Sequence, residues 1–480
     1  MIYPITALIV SWIIWAAITR GAGAALARGW MLALLAPSWV SVQVASAEID
    51  LRLIAMVAAI ACAAVVADWS GRWRFTMSDA AVALLVFAQM ASEYHNGAFG
   101  AKALFQIGSQ WAMPYVLGRL VFRSPIEARW LQPIVCTCCL VLSLWVISES
   151  VTKVNVVDRL LNHYGSAQSE SDYRWGLRRA EGPTSHPIFC GMLIASLFPW
   201  ALQAAQMARE GEGQRWWRLL PWVEAAAVTC TMSRGPQMVL LVELGSLVFF
   251  RHPKWRVPIV ATVGTVACAL FLGWNTALDT LHSWSAEDKG LLHITIEGQE
   301  YEYTGTTHRL LQFLVFREAM LQAGPFGYGI AVLSTQPLSV PHVEPHLLMS
   351  PFDSVDNHYI YFILQAGYLG VASFMVLGVA TLVKLWPFAC DRGNWGWSLA
   401  AGLFGAHLGL MLLLLTVWFA DDFGFQWLFN AGYVTSWYGS RRGEPVAGRR
   451  VASASLRLPK RLAPGHPLLP AASPEPLVPA

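Results

Sequence analysis

The sequence predicts an all-α polytopic membrane protein, and three observations carry that prediction. Charged residues make up only 13% of the 480-residue chain, where a soluble domain carries about a quarter. Hydrophobic residues make up 55%, and mean hydropathy is +0.46. The apolar residues also fall in blocks rather than short alternating runs, and a block of about 20 residues spans a bilayer core. WLQPIVCTCCLVLSLWVIS (130–148), QMVLLVELGSLVFF (237–250), VPIVATVGTVACALFLGW (257–274) and SLAAGLFGAHLGLMLLLLTVWF (398–419) are clear examples.

Taken in chain order, such blocks lie near 2–19, 30–45, 52–68, 77–92, 101–118, 130–148, 187–206, 217–232, 235–250, 257–274, 357–383, 398–419 and 424–438. At the length a helix needs to span, they amount to about 12 or 13 helices. The second and the last are short or interrupted by polar residues, so each also suits a half-helix at the interface. The first lacks a basic leader, because Arg20 and Arg28 follow its apolar run, and so it does not read as a cleaved signal peptide.

Orientation follows from where Lys and Arg collect. The short loops with Arg72 and Arg74, with Arg119, Arg123 and Arg129, with Arg209, Arg215 and Arg218, and with Arg251, Lys254 and Arg256 are all basic. They alternate consistently and read as cytoplasmic, as does the C-terminus. Residues 1–440 then form one transmembrane domain, with long outer loops at 149–186 and 275–356. The tail 441–480, rich in Arg, Pro and Ala without helical period, reads as disordered and cytoplasmic.

The eight cysteines sit in or beside apolar helices, and no CxxC pair accompanies a His pair at ligand spacing. They read as packing residues, so neither a metal site nor a cofactor is expected.

The loop 275–356 is too long for a simple connection. HITIEGQEYEY (293–303) alternates around Glu297-Gly298 and predicts a hairpin. TTHRLLQFLVFREAMLQAGP (306–325) predicts an amphipathic helix, with Leu310, Phe313, Leu314 and Met320 on one side and Arg309 and Gln312 on another. GPFGYGI (324–330) offers glycines for a tight turn. In the other outer loop, RRAEGPTSHPIFCG (178–191) brings Arg178, Arg179 and His186 to a helix start, and TCTMSRGPQMVLL (229–241) places Arg234 at a break between two apolar blocks. Finally, SVDNHYIYFILQAGYLG (354–370) opens an apolar helix with Asp356, Asn357 and His358.

Each feature has an ordinary reading. A single Arg snorkels to lipid phosphates, Asp356 or Ser354 caps a helix, and Asn357-His358 sits in the interface belt. All of them nevertheless fall on one side of the membrane, at helix ends. Fixed guanidinium groups there suit a diphosphate, with bidentate bonds to phosphate oxygens and charge to stabilise a departing diphosphate. A histidine, with an unperturbed pKa of about 6.5, suits proton removal from an attacking sugar hydroxyl.

In their order these motifs resemble the O-antigen ligase/polymerase superfamily of bacterial inner-membrane glycosyltransferases. The resemblance rests on RAEGPTSHP, TMSRGP, the Arg-bearing helix leading to GPFGYG, and DNHYIYFILQAGYLG, and spans roughly 170–420. It implies metal-independent, inverting glycan transfer from an undecaprenyl-diphosphate carrier, with the site on the periplasmic side. Carried over, Arg179 and Arg234 hold the diphosphate and His358 is the base. Arg178, His186, Arg309, Asp356 and Asn357 are candidate substrate contacts, although this chain has His186-Pro187 where family members often have Pro-Asn. The implied partners are the lipid-linked donor, a glycan or lipid-core acceptor, the bilayer and other polysaccharide assembly proteins, with no nucleic acid. Polymerase and ligase share this donor chemistry and are not separated. A transporter remains the alternative from a different class, since Glu224, Glu243 and His407 lie in apolar blocks where ionisable groups often mark ion pathways. Glu243 and His407 would also suit a structural pair. A non-catalytic scaffold for polysaccharide assembly is the third reading.

Overall fold

The computed structural model describes residues 2–441 except 38, 45–46, 67–73, 122–124, 162–172, 175, 274–291, 297, 304–307, 336–337, 350–351 and 394–395. The tail beyond Arg441 lies outside the described residues. The chain divides into two units, Met1–Tyr438 and Gly439–Ala480, and the first of them holds the helical bundle.

A helix stands at each expected position, and the architecture is all-α. In order these are α1 (Ile2–Arg20), α2 (Ala22–Leu35), α3 (Leu51–Val66), α4 (Met77–His95), α5 (Ala101–Ile107), α6 (Met113–Val121), α7 (Pro125–Thr152), a short α8 (Val156–Leu161), α9 (Pro187–Arg209), α10 (Leu220–Cys230), α11 (Arg234–Arg251) and α12 (Arg256–Leu272). In the outer loop come α13 (His308–Val315), α14 (Arg317–Gln322) and α15 (Ile330–Ser334). The chain then returns through α16 (His358–Cys390), α17 (Trp397–Leu413) and α18 (Asp421–Arg441). Among the described residues, Tyr3–Arg20, Leu131–Thr152, Pro187–Arg209 and His358–Cys390 are long and apolar enough to cross a bilayer, while α2, α3 and α17 are apolar but shorter.

Four boundaries differ from expectation. The second helix covers 22–35, not 30–45. Gly21, at φ 88°, separates it from α1, and beyond Pro37 the alternating SVQV pairs as a strand (Ser41–Val44) with Ala47–Asp50. The block 101–118 is one helix interrupted by a π-turn at Gly108–Ala112, and it continues to Val121. The loop helix splits at Phe316 into α13 and α14. The block 398–419 is helical only to Leu413, and residues 414–420 form a strap to α18. The predicted hairpin is present, pairing Leu292–Ile296 with Gln299–Tyr303.

The main core is one continuous cluster. Within it α11 packs along α17, α16 along α4 and α17, and α9 along α10 and α17. A second cluster fills the space beneath the outer loop and joins it to the start of α16 through Ile360 and Leu364.

One device locks that loop to the bundle. The first segment of α16 ends at Gly367 (φ 66°, ψ −168°), a conformation that strongly favours glycine. A break inside an apolar helix leaves backbone groups that lipid could not satisfy. The GPFGYG turn enters the break and satisfies them. Tyr328 and Gly329 N–H groups donate to the carbonyls of Leu364 (2.6 Å) and Gln365 (3.0 Å), while Tyr368 and Leu369 N–H groups donate to Gly324 (3.0 Å) and Pro325 (3.2 Å). A Cβ on Gly327 would meet the α16 backbone at 2.7 Å. From α4, Ser92 Oγ donates to the Gln365 carbonyl (2.6 Å), and Glu93 accepts the Ile330 N–H (2.6 Å). The two glycine motifs therefore recognise each other. Together they fix the segment that carries His358.

Candidate functional site

Asn357 opens α16. Its side-chain oxygen accepts the N–H groups of Tyr359 (2.9 Å) and Ile360 (3.2 Å), and its amide donates to the Leu415 carbonyl (2.7 Å). Asn357 is thus the cap, not Asp356 or Ser354, because only a side chain directly before the helix meets those donors. It is fully buried, and these bonds hold the turn that opens the helix.

Asp356 points the other way and joins α13 to the start of α16. It accepts from Arg309 Nε (3.2 Å) and lies 3.4 Å from His308 Nε2. Burial alone would push its carboxyl up, but the His308 bond and the Arg309 charge hold it below its ordinary value. Gln312, one turn after Arg309 and fully buried, accepts the N–H groups of Asp356 (3.1 Å) and Asn357 (3.2 Å). The same-side pairing of Arg309 with Gln312 is therefore a clasp on residues 354–357. The opposite side, with Leu310, Phe313 and Leu314, is exposed.

His358 is 1% exposed, in a cage of aromatic rings. Phe362 and Phe374 lie at 5.1 Å between ring centroids, Phe419 at 5.3 Å and Trp111 at 6.5 Å. Trp111 stands in the π-turn and stacks on Phe419 at 5.0 Å. Such turns recur at functional sites. The strap reaches His358 twice: the Leu414 carbonyl accepts its backbone N–H (2.9 Å), and the Phe419 N–H donates to its Nδ1 (3.3 Å). With Nδ1 accepting, the neutral ring carries its proton on Nε2. That Nε2 is buried and has no hydrogen-bond partner among the described residues, an exception that calls for a functional or solvent explanation.

The arginine-bearing loop is held by two buried carboxylates. Glu149 on α7 accepts the N–H groups of Gly182 (2.9 Å) and Glu181 (3.2 Å) and stands 3.7 Å from Arg178. Asp422 on α18 accepts from Ser185 N and Oγ (both 3.3 Å) and pairs with Arg52 at 2.7 Å. Arg178 is therefore engaged in the loop's own framework. His186 caps α9, its Nδ1 accepting the Ile188 N–H (3.1 Å). Arg179 instead donates to Ser233 Oγ (3.3 Å), the residue before Arg234.

Arg234 begins α11, exposed, with no hydrogen bond or ion pair among the described residues. The break before it is held by Met232, at φ 51°, whose carbonyl accepts from Arg174 (2.9 Å). A Cβ on Gly235 would meet Leu413 at 2.8 Å, one residue before the carbonyl that accepts His358 N–H. The contacts Arg179–Ser233, Gly235–Leu413 and Leu414–His358 thus run across one end of the bundle. They link the separate motifs through direct contacts.

Glu243 and His407 do not pair. Both Glu243 oxygens lack a hydrogen-bond partner among the described residues, whereas His407 lies tilted against Trp427 at 5.3 Å with Nδ1 at 3.0 Å from the Leu403 carbonyl. Glu149, Asp422 and the strap went unread in the sequence, and Gln312 was read only as sharing a helix side with Arg309. An acidic residue ending an apolar block was the available signal for Glu149, and the strap carried none.

Residues 220–375 match the family model of the O-antigen ligase domain, Wzy_C. The match takes in Arg234, Arg309, Asp356, Asn357 and His358, while Arg178, Arg179 and His186 precede it. No curated protein and no solved structure matches the chain. Over those residues the chain is similar to the O-antigen ligase domain, which supports the O-antigen ligase/polymerase superfamily and, in general, a ligase- or polymerase-type activity on a lipid-linked glycan and an acceptor.

Proposed function

We propose that this O-antigen ligase/polymerase-type membrane protein transfers a glycan from an undecaprenyl-diphosphate carrier to an acceptor sugar in O-antigen or exopolysaccharide assembly. In this reading the site faces the periplasm, the C-terminus is cytoplasmic, and the reaction inverts the anomeric centre without a metal. Arg179 and Arg234 hold the diphosphate. The acceptor oxygen bonds to the anomeric carbon as the bond to the diphosphate breaks, and the departing electron pair is stabilised by the two guanidinium groups. The acceptor proton passes to His358. The observation that supports the reading best is the presence, at one end of the bundle, of an exposed Arg234 and a buried His358 Nε2, neither with a partner among the described residues.

The tautomer sets a condition on the base role. Phe419 N–H must release Nδ1, so that Nδ1 either takes the acceptor's proton itself or takes the ring's own proton and frees Nε2 to accept. Without that release, His358 acts as a hydrogen-bond donor through Nε2–H. His358→Gln, which keeps an N–H donor but is no base, separates the two: a donor role survives the change, and a base role does not.

The test is sugar transfer by the purified protein with a lipid-diphosphate-linked repeat unit as the only glycan, beside Arg234→Ala and His358→Ala. A ladder of lengthened products, lost in both variants, establishes a polymerase. Transfer only after a lipid-core acceptor is added establishes a ligase. EDTA should leave either reaction intact, and inhibition reversed by Mg²⁺ would overturn the metal-free mechanism. Silence in every arm returns the protein to the transporter or scaffold readings.

A further inference from the structure

Most aromatic rings around His358 are sealed. Phe362 and Phe374 are fully buried, and Trp111 and Phe419 nearly so. Trp418, next to Phe419 on the strap, is 38% exposed. It lies 6.2 Å from Tyr361 at an interplanar angle of 25°, and Tyr361 in turn lies 6.3 Å from His358 at 22°. Trp418 also meets Phe189 of α9 at 5.1 Å, with the two rings nearly perpendicular, and Phe189 contacts His186 at 5.4 Å. Trp418 therefore stands between the loop that carries Arg179 and the helix turn that carries His358, at the end of the bundle where Arg234 is exposed.

Resting on the glycosyl-transfer reading, we propose that Trp418, backed by Tyr361, is the stacking platform for the acceptor sugar ring. A pyranose presents a face of weakly positive C–H groups, which suits the negative face of an aromatic ring. Tryptophan supplies that area on a rigid side chain with little entropy to lose. The position selects the acceptor over the donor. The diphosphate end of the donor belongs to the arginines, whereas the platform lies one ring away from His358, which must receive the acceptor's proton. The competing explanation is a belt tryptophan at the membrane interface. Trp386, 45% exposed near the other end of α16, serves as the control for it.

The experiment measures transfer by the full-length protein with the acceptor varied at fixed donor, and then the reverse. The lipid-linked repeat unit and the lipid core are extracted from cells lacking the gene. Trp418→Ala should raise the acceptor KM about tenfold, the scale of one lost stacking contact. The donor KM should stay unchanged, and Trp418→Phe should recover most of the loss. An acceptor KM that moves no more than in Trp386→Ala, or a rise confined to the donor KM, overturns the platform. A second arm uses saturation-transfer NMR with the delipidated repeat-unit glycan and the deacylated core oligosaccharide, without turnover. Ring-proton signals lost in Trp418→Ala support the platform even if wild type transfers no sugar, the result that would sink the glycosyl-transfer reading alone. Signals that are absent from wild type, or that persist in Trp418→Ala, overturn it.

Discussion

The two ends of the bundle use the same chemical groups to opposite effect. At the end opposite His358, Asp79 accepts Arg119 Nε (2.9 Å) and Nη2 (3.1 Å), Tyr115 Oη (2.8 Å) and the Thr76 N–H (2.7 Å). Lys384 spends its three protons on Thr76 (3.0 Å), Ser78 (2.8 Å) and Thr435 (3.0 Å). Every charge in that cluster is closed by protein partners. At the His358 end, Asp356, Glu149 and Asp422 are similarly closed, but among the described residues Arg234 and the His358 Nε2 have no partner. A fully satisfied buried network ties helices together, and what it leaves over at the other end is what a substrate can use.

That contrast breaks most visibly at the closed end. Arg119→Ala leaves Asp79 buried without its cation, so stability should fall by about 3–5 kcal/mol. Thermal unfolding in detergent measures it, and transfer per folded molecule should hold. At the open end the expectation reverses. His358→Ala should cut transfer per folded molecule by about 10²-fold or more, the scale of a general base, well beyond what the emptied cage and the orphaned Phe419 N–H cost in stability. A large loss of stability with proportionate loss of activity would make His358 a core residue instead.

Arg234→Lys keeps the charge but loses the fork that meets a diphosphate in two bonds, so most activity should go, about tenfold. Wild-type turnover would count against the clamp. The smallest effect belongs to the Asp356 clasp. Because its folded carboxyl sits below the ordinary 3.8, its contribution is complete above that pH and fades as pH falls through the lower folded value. Asp356→Asn should therefore lower stability by about 1 kcal/mol near neutrality and not below the folded value. A difference that grows on acidification would show the sign to be wrong.

The aromatic cage explains why the candidate site was only partly legible. Arg179, Arg234 and His358 stood out because charge and titratable groups are scarce in this chain and these mark helix ends. Trp111, Phe419 and Trp418 lay inside apolar blocks, where an aromatic ring is indistinguishable from core or lipid-facing surface. The strap hid for the same reason, since LLTVWFA continues the apolar run after Leu413 with no Gly or Pro to signal its end. Arg178 and His186 stood out by residue type, but their contacts with Glu149 and with the α9 N-terminus were not legible in the sequence.

By itself the sequence determined the class, the helix positions and the end of the bundle where polar groups gather. Bilayer thickness and the cost of unpaired backbone leave few alternatives to a long apolar helix. Tertiary structure alone decided that GPFGYG fills the break at Gly367, that Asn357 and not Asp356 caps α16, and that His358 is enclosed with its Nδ1 held by the strap. Each of these depends on backbone or ring partners far apart in the chain. Local residue pattern records which groups need a partner, whereas packing selects which partner they find.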